Sequence, residues 1–287
     1  MSGFLEVAFL LSAPLLLAAA GELVLERSGS LQIGLEGTML AGAFTAFAAA
    51  RAGTGPYAAL AASAAVGAGA GLLFALFAVA RRADPILVGT VWNLLALGAT
   101  GFAYRLLAGE TGAVLQVRTL PADLAGLPWP VLASFLVPPV LHLLLTRTRP
   151  GLRIVAAGEH PEAVRAQGLS VVAIRTGAST LAGVLGALGG GLLVLTISPT
   201  FVEGVTAGRG FLALAIVVFA RWKPLRLVPA SLLLGGVTAL QYRLQALGFQ
   251  AVPYAFFLAL PGLLALAALA VSGRGGGAPK ALGTPAP

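Results

Sequence analysis

The stretch Gly158-Glu159-His160-Pro161-Glu162-Ala163-Val164-Arg165-Ala166-Gln167-Gly168 concentrates charge and helix signals in a chain that is otherwise apolar for long runs on either side. Pro161 suits a first helical position, where a missing N–H is no loss. Glu162 falls in the positive first turn, and Arg165 follows three residues later at the spacing of a helix-face pair. Gly168 supplies a left-handed stop. The pattern predicts a two-turn polar helix over 161–167, held in a loop between membrane segments. Its chemistry is docking of a soluble partner, not bond breaking.

Catalytic patterns are missing. Lys223 and Lys280 are the only lysines, and neither follows a glycine-rich phosphate loop. His142 and His160 form no HExxH, no serine sits in a GxSxG elbow, and cysteine is absent. The sequence therefore supports no enzymatic activity, no metal site and no cofactor bound by this chain. Ionisable residues inside apolar runs are functional candidates by default. Glu22 and Glu36 flank the Arg27 turn, expected near the cytoplasmic ends of the first two spans, where structural pairing, simple exposure and a pathway role all stay open. Asn93 falls about a third of the way through the fourth span and suits a helix-to-helix hydrogen bond. His142 lies about one turn from a cytoplasmic boundary. A proton- or sodium-coupled carrier would show more carboxylates at mid-membrane.

The elements that must position these residues are membrane helices. The chain is 58% hydrophobic and 10% charged, with mean hydropathy +0.95, against about 25% charged for soluble domains. Turn residues and charges divide it into about nine apolar segments (eight to ten), near 4–25, 32–50, 57–80, 85–109, 130–146, 174–198, 210–221, 224–240 and 252–271. A ~30 Å hydrocarbon core needs about 20 residues per helix, so 210–221 is short and suits a half-helix sharing the bilayer with the irregular stretch before it. With the N-terminus outside and the C-terminus cytoplasmic, thirteen of the eighteen basic residues fall inside, leaving Arg51, Arg105, Arg118, Arg209 and Arg243 outside. The net charge of +8 is thus read as topology, with no nucleic-acid partner. Gly67 with Gly71 and Gly186 with Gly190, joined by Gly183 and Gly189, make small-residue faces for helix packing within one subunit. The expected fold is an all-α polytopic bundle in residues 1–272, with a cytoplasmic loop at 147–173 and an extended Gly/Pro-rich cytoplasmic tail at 273–287.

Four blocks carry a family likeness. They are Glu26-Arg27-Ser28-Gly29 through Gln32-Ile33-Gly34-Leu35-Glu36-Gly37-Thr38-Met39, then Gly158 to Gly168, then Phe201 through Thr206-Ala207-Gly208-Arg209-Gly210 to Arg221-Trp222-Lys223-Pro224, and finally Val252-Pro253-Tyr254 through Ala278-Pro279 to Leu282-Gly283. In this order they resemble the membrane permease subunits of bacterial ABC importers of the branched-chain amino acid and simple-sugar branch. The likeness is nearest to the shorter nucleoside or simple-sugar permease. Departures are Gln32 and His160 where the family usually has Asn, and Ala220 where Gly is common.

The resemblance implies a subunit of the bacterial inner (plasma) membrane that passes a small polar solute inward from a solute-binding lipoprotein. Two permease subunits, as heterodimer or homodimer, would form the pore. Separate ATPase subunits would bind ATP and Mg. Glu159, Pro161, Glu162, Arg165 and Gly168, with Gly158, match the family's ATPase-coupling loop. Gln32, Glu36, Asn93, Thr206, Gly208 and Arg209 are pore or packing candidates, the last three expected outside. A secondary transporter without an ATPase is the alternative, and the polar helix discriminates against it.

Overall fold

The computed structural model describes residues 2–109, 115–122, 126–246, 262–263 and 277–284. The described residues fold into helices: α1 (Ser2–Arg27), α2 (Leu35–Arg51), α3 (Pro56–Phe74), α4 (Pro85–Ala108), α5 (Trp129–Ser134), α6 (Val137–Arg147), α7 (Arg149–Glu159), α8 (Pro161–Ala166), α9 (Val171–Leu192), α10 (Arg209–Phe219) and α11 (Pro224–Ala246). Wider π-helical turns extend α3 over Ala75–Ala80 and α9 over Leu193–Ile197. Between elements, an isolated bridge pairs Gln116 with Thr200.

Six helices among the described residues are long and apolar enough to cross a membrane. They account for six of the nine expected segments, the fifth as the broken rod of α5 and α6. α2 has 17 residues and α10 has 11, both shorter than a full crossing. The ninth expected segment, 252–271, lies almost wholly outside the described residues.

Helices α1 and α9 form the centre. From Leu11 to Glu26 every residue of α1 is buried. Water-driven burial does not bring helices together in lipid, so packing depends on close backbone approach. The small-residue faces supply it inside the subunit. A Cβ on Gly183 would lie 2.1 Å from the Gly67 carbonyl oxygen, and one on Gly190 only 1.8 Å from that of Met39. α4 shows the opposite character: Leu87, Val91, Leu94, Phe102 and Leu106 are exposed, as a lipid-facing helix allows.

Candidate functional site

The polar stretch folds as its local signals require. Pro161 opens α8, and Gly168 stops it at φ +76°. Leu169 N–H donates to Val164 O, and Gly168 N–H to Arg165 O, which closes the helix end. Glu162 and Arg165 are both exposed and form no ion pair among the described residues, so the expected helix-face pair is absent and both charges face outward. Val164 anchors α8, buried with Ala75, Val79, Ala157 and Val171. The loop is also more structured than expected, since α7 precedes α8 as an 11-residue helix. Gly158 and Glu159 belong to α7 and face the membrane body. Glu159 lies 4.0 Å from the Arg27 guanidinium, and a Cβ on Gly158 would meet Arg27 O at 2.2 Å.

That places the α7–α8 junction against the end of α1. The same corner receives the turn between α10 and α11, whose Arg221 and Trp222 sit at positive φ. Arg27 donates to Trp222 O through Nε (3.0 Å) and Nη2 (2.8 Å), and the Trp222 indole donates to Glu26. The block Arg221-Trp222-Lys223-Pro224 was the signal for this corner, but its partners lie almost 200 positions earlier.

Beyond α1 the chain turns at Gly29 (φ +92°) and runs back along the helix without forming one. Gln32 N–H donates to Glu22 Oε1 at 2.9 Å, so residue 32 stands beside a residue five positions inside α1. Gln32 Nε2 and the Trp92 indole both reach Thr38 Oγ1. Asn93 bridges α4 to the start of α2, accepting from Gly37 N–H at 2.7 Å and donating to Ile33 O at 3.1 Å. This is the helix-to-helix bond its type suggested. α2 thus starts at Leu35, not at 32, because residues 28–34 are held by these groups in an irregular path.

Glu36, in the first turn of α2, reaches α10. Its Oε1 accepts from Thr206 Oγ1 (2.5 Å) and Gly208 N–H (2.9 Å), and its Oε2 from Gly210 N–H (2.6 Å). α10 has no side-chain cap of its own; Gly208 begins it at φ +80°. The carboxylate therefore fills the role of a cap, at the positive end of the helix dipole. Gly210 permits the approach, since a Cβ there would lie 2.5 Å from Glu36 backbone atoms. Arg209 folds back on Val205 O and Thr206 O at 3.2 Å and touches Tyr242 Oη at 3.4 Å.

Two expectations need correction. Glu36 was set near one membrane face and Thr206, Gly208 and Arg209 beyond the other, yet Glu36 bonds Thr206 and Gly208 directly. The 11 residues of α10 separate this junction from the Trp222 corner by about 16 Å, roughly half of a ~30 Å core. Glu36 and Thr206 therefore share one level of the bundle, where two short helices begin.

A family model described as the permease component of a branched-chain amino acid transport system matches residues 4–269. The chain belongs to this family. Among its relatives, the guanosine ABC transporter permease of Bacillus subtilis (strain 168) is 34% identical, covering 96% of this chain and 93% of that protein. The nucleoside ABC transporter permease of Lactococcus lactis subsp. cremoris is 32% identical over 95% and 92%. A putative glucose ABC transporter permease of Haloferax volcanii is 33% identical over 88% and 81%. The chain is accordingly a multi-pass membrane permease subunit of an ABC transporter and not an enzyme; ATP is hydrolysed by a separate subunit. Permease components of this kind work with an ATPase and a solute-binding protein.

Proposed function

We propose that this permease subunit moves a small neutral polar solute into the cytoplasm, a nucleoside in first place and a simple sugar in second. The observation that carries the choice of a neutral solute is the Glu36 junction. Its carboxylate is already answered by three donors from Thr206, Gly208 and Gly210. A charged side chain at the bilayer centre costs about 2.5–3.5 kcal/mol, and an ion passing there would want a free partner of opposite charge. The nucleoside preference is supported by the guanosine and nucleoside permeases among the relatives, and the sugar by the glucose one. Family membership leaves the secondary-transporter alternative without support.

In this proposal the chain crosses the membrane about nine times, N-terminus outside and C-terminus inside. Support comes from the basic-residue bias and from the sharing of one face by Arg27, the α7–α8 junction, Trp222 and residues 277–284. Residues 1–272 form the permease body, with 147–173 and 273–287 cytoplasmic. α8 docks on an ATPase that binds ATP and Mg, through Pro161, Glu162 and Arg165, while Gly158, Glu159 and Gly168 set its position. A second permease subunit, preferably a different chain, completes the pore, and a solute-binding lipoprotein delivers from outside. The chain itself holds no cofactor.

The test is uptake of labelled guanosine, adenosine, ribose and a neutral amino acid by cells with and without this subunit. Loss of the two nucleosides is expected. Loss confined to ribose moves the assignment to sugar, and loss confined to the amino acid overturns both.

A further inference from the structure

Residues 277–284 do not stand apart as an extended end. Pro279 to Leu282 makes a turn closed by Leu282 N–H on Pro279 O at 3.1 Å, and Ala281 within it is buried. From this turn two backbone donors reach the membrane body: Ala281 N–H to Gly158 O (2.9 Å) and Gly283 N–H to Gly29 O (3.0 Å). Arg175, near the start of α9 and 1% exposed, completes the arrangement. Its Nη1 donates to Thr284 O (2.8 Å) and its Nε to Ser28 O (3.0 Å). No carboxylate pairs with it among the described residues. A guanidinium has five donors in a fixed fork, so one buried arginine can hold carbonyls of two separate segments at a set distance.

Three elements meet under this turn: the end of α1 at Ser28 and Gly29, the α7–α8 junction at Gly158, and the start of α9 at Arg175. α8 has six residues and cannot hold its own geometry in isolation. Its anchorage is Val164 in a small apolar cluster and the 4.0 Å contact of Glu159 with Arg27. Val164 touches the extension of α3 and the start of α9 directly, and the junction links the other end of α8 to α1.

We propose that residues 277–284 are a strap that fixes the α7–α8 junction to α1 and α9, with Arg175 as its positioning residue, so that motion of α8 is passed to the membrane helices. The proposal rests on the docking role given to α8 above. The strap grips through main-chain N–H groups at Ala281 and Gly283, so its sensitivity is to proline rather than to side-chain size.

The experiment uses the full-length chain in the complete transporter, with its ATPase, second permease and binding protein, reconstituted in liposomes. Ala281→Pro removes the donor to Gly158 O. Gly283→Pro removes the donor to Gly29 O and cannot take φ +74°. Lys280→Ala, at an exposed site, is the control. Each proline variant is expected to keep its ATPase bound and hydrolysing while the ATP used per solute imported rises about fivefold. An unchanged ratio in both variants overturns the proposal, as does loss of the ATPase from the complex, since the strap is assigned transmission and not attachment. Because the chain has no native cysteine, docking is read separately: Ala281→Cys should react with a maleimide far more slowly than Lys280→Cys, and equal rates overturn the proposal. Normal transport by a Glu162→Lys, Arg165→Glu variant would instead defeat the α8 docking role itself.

Discussion

Thr206 donates its hydroxyl to Glu36 at 2.5 Å across 170 positions of sequence, joining the start of α10 to the start of α2. The same carboxylate takes the Gly208 and Gly210 N–H groups, which α10 cannot satisfy itself. Glu36→Ala removes all three acceptor contacts, and a buried donor left without a partner costs about 1–3 kcal/mol. Glu36→Gln keeps one oxygen for Thr206 and Gly208 and turns an amide toward Gly210. Thermal midpoints in detergent and solute uptake should both fall in the order wild type, Glu36→Gln, Glu36→Ala. Equal values for wild type and Glu36→Ala would remove the junction from the account.

Close packing on α9 gives a matched pair of substitutions. Gly183→Ala sets a methyl 2.1 Å from Gly67 O, so the α3 and α9 backbones must separate, a strain of about 1–3 kcal/mol. Gly177→Ala, on the same helix, meets nothing within 4 Å and gains about 1 kcal/mol of helix propensity. Thermal unfolding should show the first destabilised and the second unharmed or improved. The reverse order would contradict the central place of α9.

What the sequence could reveal depended on the range over which the signal acts. α8 was legible because Pro161, Glu162 and Gly168 act within their own turn. Six of the nine expected spans were legible because lipid demands apolar length, and the glycine faces because close approach demands small residues. The start of α2 was not: Gln32 and Ile33 look like span residues, yet Glu22 and Asn93 hold them in a non-helical path. Glu36 with Thr206 and Gly208, Arg27 with Trp222, and the docked turn at 277–284 are contacts between distant segments, and periodicity carries no trace of them. Assigning whole segments to one membrane face or the other also hid that α2 and α10 begin side by side.

Topology is tested on the same cysteine-free background. Single cysteines at exposed Ser170 and Lys280 should resist an impermeant thiol reagent in intact cells, whereas Thr54→Cys, between α2 and α3, should react. Labelling of Ser170→Cys and Lys280→Cys from outside, with Thr54→Cys protected, would invert the orientation and detach α8 from any cytoplasmic ATPase.

The most direct test of the account is charge reversal on α8 in the reconstituted transporter. Glu162→Lys puts a cation at a helix N-terminus, costing about 0.3–1 kcal/mol through the dipole, too little to unfold the permease body. Arg165→Glu reverses the second exposed charge. The double variant should insert and remain monodisperse, while solute uptake and solute-stimulated ATP hydrolysis fall together. Normal uptake from a stably inserted double variant would contradict the assignment of α8 as the point where ATP hydrolysis meets the membrane helices.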